Sequence, residues 1–309
     1  MHVYHDILQL PAFNNAVITV GIFDGVHEGH VQIIKQVVNE ALNMNGTPLV
    51  ITFYPHPRQI IDEQLEPFGI LTTPEEKSRL LGDHGIEHLV IVPFDKSFSR
   101  MPAQEYINDF LVGIFHPHTI ITGYDHRFGV NREGDYHLLA QASTIHNFIL
   151  KEIPRHVVES VVISSTKIRE TLLTGAVETA NLFLGYPYTL AGKVIEGKKI
   201  GRTLGYPTAN IDVTSQDKLI PGNGVYAVKV NSGSFLSQKG MMSIGNNPTF
   251  GENQRTLEVH LFDFNRDIYG ETLEIQFLKR LRNEEKFDSA SDLIKKMEED
   301  MADALRVLN

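Results

Sequence analysis

The sequence predicts a parallel α/β sheet followed by a small β-barrel with a terminal helix. Three observations predict it. Short apolar runs alternate with helix-like stretches up to about Leu184. Beyond that point short strand patterns follow one another, separated by turn residues. A last stretch carries apolar residues at helical spacing. Strands alternating with helices argue a parallel sheet, and evenly spaced short strands argue a barrel.

The first unit begins at Ala16-Val17-Ile18-Thr19-Val20, a run rich in β-branched residues and short enough for a buried strand. Gly21, Gly25 and Gly29 follow, with Asp24, His27 and His30 among them, and Val31, Ile34, Val38 and Leu42 then recur at helical spacing. Residues 48–53 (PLVITF) form a second strand. Thr73 is the expected N-cap of the next helix, with Pro74 at its first position and Glu76 closing a capping box. Residues 88–92 (HLVIV) give a third strand. Pro102 opens a helix that Gly113 is expected to end, and 119–122 (TIIT) gives a fourth strand. Ligands collect beyond the carboxyl ends of such strands, so 21–30, 54–58 and 123–134 are expected to line one crevice. Residues 161–163 then lead, as a strand, into a helix that Gly175 ends, and a short helix covers 177–184.

The boundary between domains is placed at Leu184, giving 1–184 and 185–309. Strands are expected at 189–195, 225–230, 241–244, 256–262 and 273–278, with turns at 221–224 and 232–233. Asp288 is the expected cap of the last helix, whose stripe is Leu293, Met297, Met301 and Leu305.

Composition narrows the function. A chain of 309 residues favours about two domains. Its formal charge of −10 disfavours a general nucleic-acid binder, although a local basic loop can still hold a compact anion. Zero cysteines exclude disulfides, thiolate metal sites and a cysteine nucleophile. No apolar run approaches the roughly 20 residues that span a bilayer, and the first residues lack the pattern of a signal peptide. The expectation is a cytoplasmic protein with small-molecule substrates, without nucleic-acid or membrane partners, acting as a monomer or weak homo-oligomer.

The glycine-rich turn between strand and helix lets backbone N–H groups approach a phosphate, and the helix N-terminus favours the anion. His27 and His30 stand at that entrance. Ser164, Ser165 and Thr166 can cap a helix, while Lys167 and Arg169 add cationic donors suited to phosphates. A second constellation is Gly201-Arg202-Thr203-Leu204-Gly205-Tyr206-Pro207-Thr208-Ala209-Asn210. Lys198, Lys199 and Arg202 put positive charge beside flexible glycines. Thr208 and Asn210 offer neutral oxygen ligands that suit Mg²⁺ when phosphates and water complete its octahedron. In 255–261 (RTLEVHL), Leu257, Val259 and Leu261 face one way and Glu258 and His260 the other, which by itself fits a solvated sheet face.

Together GIFDGVHEGH, FYPHPR, GYDHRFG and ISSTKIR resemble, in that order, the N-terminal module of bacterial bifunctional riboflavin kinase/FAD synthetases. GRTLGYPTAN resembles the signature of riboflavin kinases. The resemblance runs from about residue 15 to the last helix. It implies a Rossmann-like nucleotidylyltransferase domain (1–184) that transfers AMP from ATP to FMN, giving FAD and pyrophosphate. It also implies a kinase barrel (185–309) that makes FMN from riboflavin and ATP with Mg²⁺. By the resemblance His27 and His30 hold the triphosphate. Gly21, Phe23, Asp24 and Gly25 shape the cradle, and Ser164, Ser165, Thr166 and Arg169 close on the phosphates. Asp125 and Arg127 contribute to the nucleotide or flavin pocket. In the barrel, Lys198, Gly201, Arg202, Gly205 and Pro207 bind nucleotide, Thr208 and Asn210 hold the metal, and Glu258 is the general base. Asn246 begins a loop over the site (246–251), and Arg282 matches a flavin-contacting arginine.

His56, between two prolines, fits either a rigid loop or a pocket. Two residues depart from the family pattern: His126 stands where Phe is usual, and Tyr186 where Arg is usual. The first bears on flavin stacking or the pH response of the adenylyl site, and the second removes a cation near the domain junction. His126 keeps open a kinase without FMN adenylylation, or with another acceptor. An inactive flavin- or nucleotide-binding regulator is the non-enzyme alternative.

Overall fold

The computed structural model describes residues 1–61, 68–153, 163–197, 201, 205–246, 255–287 and 289–309. Packing divides the chain into two compact units, Met1–Ser165 and Thr166–Asn309.

The first unit is built on a six-stranded parallel sheet in the order β1-β4-β3-β2-β5-β6. The strands are β1 His2–Tyr4, β2 Val17–Val20, β3 Pro48–Tyr54, β4 His88–Pro93, β5 Thr119–Gly123 and β6 Ile149–Ile153. β2 is buried along its whole length because both faces are covered, which is why its sequence reads as a continuous apolar run. Ile18 and Val20 join one core with Ile51 and Phe110, whereas Val17 joins the other with Ile34 and Val37. Burying each such side chain stabilises the fold by roughly 1.5–3 kcal/mol. β3 lies on one side of β2 and β5 on the other, so the order of connections reverses at β2. Ligands of such sheets bind at the point of reversal, which here is the carboxyl end of β2, where the glycine-rich turn begins.

The helix after that turn is Glu28–Asn43. Its buried face differs from the expected stripe. Val31, Ile34, Val37 and Ala41 point inward, Val38 is half-buried, and Leu42 is 71% exposed. An apolar stripe on a helix is broad, and spacing alone does not fix its centre. Here Ala41 continues the buried face into the core of the sheet. The helix Pro74–Asp83 carries the expected capping box in full, from Thr73 and Glu76 with Pro74 at the start.

Gly113 does not end the helix opened by Pro102. The helical run covers 103–115, its middle part, Tyr106–Val112, is π-helical, and it stops at His116 in the left-handed region (φ 44°). The wide π turn brings Tyr106, Ile107, Phe110 and Leu111 all into the core. At Gly113 a Cβ would lie 3.1 Å from the Asn108 carbonyl oxygen, so the glycine serves this close passage instead of a stop. Among the elements outside the sequence expectations are β1, β6, the short helix Pro57–Ile61 and the helix Tyr136–His146. The strand expected at 161–163 falls mainly on Val161 and Val162, which are outside the described residues, and Ile163 belongs to no strand.

The second unit opens with the helices Ser165–Leu173, whose first residue ends the first unit, and Val177–Leu184. Gly175 closes the first of these at φ 80°. Then comes a closed barrel in the order β10-β11-β8-β7-β12-β9, antiparallel throughout. Its strands are β7 Thr189–Ile195, β8 Ala209–Val213, β9 Gly224–Ser232, β10 Phe235–Asn246, β11 Arg255–Leu261 and β12 Thr272–Arg282. β8 was not among the expected strands.

Packing divides the chain earlier than the change of rhythm at Leu184, because the two helices are tied to the barrel. The Asn181 amide donates to the Phe277 carbonyl (2.8 Å) and accepts from Tyr188 N–H (2.7 Å). Arg280 reaches back to the Thr174 carbonyl at 3.0 Å.

The helix Ala290–Leu308 lies on the barrel. Met297, Met301 and Leu305 pack against Val225, Ala227, Met241 and Phe262, as the stripe predicts. Ser289 caps it, accepting from Asp292 N–H at 3.1 Å. Asp288, the expected cap, lies outside the described residues.

Candidate active sites

In the first unit the turn after β2 winds through left-handed backbone at Phe23 (φ 47°), Gly25 (φ 84°) and Val26 (φ 36°). The buried Asp24 carboxylate holds it there. It accepts the N–H groups of Leu71 and Thr72 at 3.0 Å and the Thr72 hydroxyl at 3.3 Å, and the same hydroxyl accepts Gly25 N–H at 3.0 Å. Asp24 therefore shapes the turn through the chain at 71–72. Ser165 Oγ donates to the Asp24 carbonyl at 2.9 Å, tying the far end of this unit to the same turn.

His27 caps the following helix, its Nδ1 accepting from His30 N–H at 3.4 Å. The two imidazoles stack with centroids 3.6 Å apart, and the Phe23 ring meets His30 edge-on at 5.2 Å. Glycine is required at two places by this packing. A Cβ on Gly21 would lie 2.9 Å from the Phe23 ring, and one on Gly29 would lie 3.2 Å from the His27 ring. His30 Nδ1 is buried without a hydrogen-bond partner. Burial first, then the neighbouring His27 and Lys77, holds His30 well below the usual histidine range, so its ring is neutral at pH 7.

Sequence reasoning missed Lys77. Its ammonium reaches under the turn to the Ile22 carbonyl (2.7 Å) and Thr52 Oγ1 (3.3 Å), and the side chain is only 6% exposed. Burial lowers it to about 8, partly offset by Asp24. A lysine on an amphipathic helix reads as solvated, and the one available signal was its place a single turn after the Thr73 cap.

The remaining predicted residues of this unit are less convergent. Asp125 is exposed. Arg127 is 47% exposed and pairs with Asp135 at 3.3 Å. His126 stacks on Phe128 (5.6 Å), which stacks on Tyr106 (4.9 Å). Burial lowers His126 to about 4. His56 accepts Arg58 N–H at 3.2 Å and packs on Phe68 at 4.5 Å, which favours the rigid-loop reading. Ser164 is exposed. Thr166, Lys167 and Arg169 belong to the second unit; Thr166 is exposed, Arg169 is buried, and the Lys167 ammonium lies over the Phe183 ring at 5.0 Å. Tyr186 is half-buried at the start of the barrel.

In the second unit, Thr208 Oγ1 donates to Glu258 Oε2 at 2.9 Å. The strand register sets this up: Glu258 on β11 lies opposite Asn210 on β8 and Ser243 on β10. His260 Nδ1 bonds the Pro207 carbonyl at 2.8 Å. Gly205 takes φ 86°, and Tyr206 N–H closes back on the Gly201 carbonyl at 2.8 Å. A Cβ on Gly197 would collide with the Asn210 amide, and one on Gly201 would lie 3.3 Å from Thr208 Oγ1. The glycines thus leave Thr208 and Asn210 uncovered by side chains of their neighbours.

Two clefts meet at Thr208. One, of about 640 Å³, is lined by Glu258, His260, Arg282, Met241 and Met297, among others. The other, of about 480 Å³, is lined by Phe264, Arg266, Asp267 and Tyr269 beside Thr208. At the first, Arg282 is held by the buried Asp300 of the terminal helix, with contacts of 2.8–2.9 Å, and lies 5.6 Å from the Phe287 ring. Lys198, Lys199, Arg202 and 247–251 are outside the described residues, and Asn246 ends β10 opposite Arg255. A further cleft of about 680 Å³ lies among Asp95, Phe98 and Arg100, and none of the predicted site residues lines it.

Residues 10–167 match the family model for FAD synthetase, and 184–308 match that for riboflavin kinase. A bifunctional riboflavin kinase/FMN adenylyltransferase of Listeria monocytogenes is 39% identical, covering 94% of this chain and 91% of its own. The protein of that name from Bacillus subtilis is 34% identical, covering 99% and 96%. The chain belongs to the bifunctional riboflavin kinase/FMN adenylyltransferase family. It is therefore a bifunctional transferase of FMN and FAD biosynthesis, with the FAD synthetase half on the parallel sheet and the riboflavin kinase half on the barrel. A crystal structure described as a macrolide-efflux protein from Streptococcus pneumoniae is 31% identical with a TM-score of 0.88, covering 97% of both chains. Among the described residues no helix is long and apolar enough to cross a membrane.

Proposed function

We propose that the two reactions are carried by the two residue sets described above, one in each unit. The hydrogen bond from Thr208 to Glu258, at the meeting point of two clefts, supports the kinase assignment most directly. The larger cleft, with Met241 and Met297, suits the apolar flavin ring, and the smaller one, with Phe264 and Tyr269, suits a nucleotide. The riboflavin 5′-hydroxyl oxygen attacks the γ-phosphorus, the bond from that phosphorus to ADP breaks, and Glu258 accepts the hydroxyl proton. Thr208 and Asn210 are neutral oxygen donors beside glycines, which fits Mg²⁺ brought with ATP. When bound there it would neutralise phosphate charge. The family resemblance assigns Lys198, Gly201, Arg202, Gly205 and Pro207 to the nucleotide and Asn246 to its loop, and Arg282, at the cleft with Met241 and Met297, is assigned to the flavin.

In the first unit an FMN phosphate oxygen attacks the α-phosphorus of ATP and pyrophosphate leaves. The Gly21–Gly25 turn and the stacked His27 and His30 suit the charge that develops on the phosphates. The orphan Nδ1 of His30 supports a ligand contact at that ring. His126, neutral and stacked, does the work of the usual Phe as an aromatic surface, which favours retained FMN adenylylation. The kinase domain is assigned to 185–309 and the adenylyltransferase to 1–184. Dependence on ATP supports a cytoplasmic site of action.

The test is incubation of the full chain with riboflavin, ATP and Mg²⁺, with flavins resolved by chromatography. FMN followed by FAD is expected. Formation of neither, under oxidising and reducing conditions alike, overturns the reading.

A further inference from the structure

The buried lysine beneath the glycine-rich turn has no part in the assignments above. Lys77 lies one turn into the helix Pro74–Asp83, whose Thr73 cap fixes its direction. The segment just before that helix supplies the Leu71 and Thr72 N–H groups that hold Asp24. One helix thus grips the turn twice, at Asp24 through backbone and at Ile22 through the Lys77 ammonium, 2.7 Å from the carbonyl oxygen.

The Thr52 hydroxyl donates to the same carbonyl at 3.0 Å, so the ammonium fills its second lone pair, which a neutral donor could fill as well. The Asp24 carboxylate, held by backbone N–H groups, offsets the burial of the ammonium only in part. Burying an ammonium is costly unless an opposite charge compensates it. A polyphosphate received on the upper side of the turn is such a charge.

We propose that Lys77 is a positioning residue of the adenylyl-transfer site, fixing the Ile22–Asp24 turn from below and lending it the positive potential that favours the ATP triphosphate. It acts through the turn and does not touch the reacting atoms. Burial lowers Lys77 to about 8, which agrees with a cation whose further partner is the substrate. The proposal rests on the reading of this turn as the site of FMN adenylylation.

The experiment measures FAD formation from FMN and ATP by the full chain, with riboflavin phosphorylation in the same preparation as an internal control. Lys77→Met keeps the length and removes the charge. It is expected to raise the KM for ATP in FAD formation about tenfold, with the KM for FMN within twofold and the kinase rate unchanged. A partly unfolded preparation lowers kcat and leaves that KM alone, so the two effects separate. Lys77→Gln keeps a donor to Ile22 without the charge and is expected to show the same rise; it also carries the test should Lys77→Met not fold. An unchanged KM for ATP in either folded variant overturns the role of Lys77. A wild-type chain that makes FMN but no FAD from FMN removes the site reading itself, and this proposal with it.

Discussion

The two units handle the same co-substrate with different chemistry. In the proposed assignment the sheet meets phosphate with a wound backbone turn, two stacked imidazoles and a buried cation, and the barrel meets it with a neutral hydroxyl and amide with a carboxylate alongside. The difference follows from the nucleophiles. FMN attacks through a phosphate that is already ionised at neutral pH, so no proton has to be taken. Riboflavin attacks through a hydroxyl, which needs a base. The carboxylate nearest the sheet turn, Asp24, has both oxygens bound to backbone N–H groups and is structural, whereas Glu258 faces a cleft. The proposed base thus stands where the reaction releases a proton.

The contrast breaks most visibly at Glu258. Glu258→Gln is expected to cut FMN formation by about 10²–10⁴, the usual range for a lost general base. FAD formation from added FMN should stay within about twofold. Equal losses in both assays would mean that the halves do not divide the chemistry as described. His30→Ala tests the other side, with FAD formation falling about 10²-fold and riboflavin phosphorylation unchanged. Asp24→Asn probes the claim that this carboxylate is structural. It should lower the stability of the first unit by about 2 kcal/mol in denaturant melts, since hydrogen bonds to a buried charge are lost, while the kinase rate holds.

The smallest effect concerns His126. Its folded pKa of about 4 lies below the unfolded value of about 6.5, so between those limits the unfolded chain binds more protons. Stability from this group is present above pH 6.5 and is lost as the pH falls toward 4. His126→Phe should flatten that part of the stability–pH curve, with FAD formation at pH 7 within twofold of wild type. A halving or more of that rate would give the imidazole a role that stacking does not account for.

Much of this was legible in the chain. The Thr73 capping box, the helix Val177–Leu184 and the strand Thr189–Ile195 follow from local signals strong enough to stand alone. The unread elements lack such signals. β1 has three residues, and β6 exposes most of its side chains, as an edge strand can, so neither shows a core-facing alternation. The π-helical turn at Tyr106–Val112 has no sequence rule that would carry a helix past Gly113. At the candidate sites, the motifs singled out His27, His30, Thr208 and Glu258, because those types are distinctive at fixed spacing. Lys77 and the anchoring role of Asp24 depend on partners about 50 residues away in sequence. No local window holds both ends of such a contact.

The helix Ala290–Leu308 has a consequence for the order in which the enzyme comes into being. It supplies Asp300 to Arg282 and Leu293 and Met297 to the kinase cleft. On the ribosome the chain emerges from its N-terminus, and domains generally fold as units as they appear. The proposed adenylyltransferase domain, 1–184, precedes the whole barrel, whose first strand begins at Thr189. The cleft for the first reaction waits for the C-terminal helix to leave the exit tunnel. The nascent chain thus gains its capacities in the reverse of the metabolic order, and a chain cut short before Ala290 is expected to retain FAD formation and lose the supply of FMN.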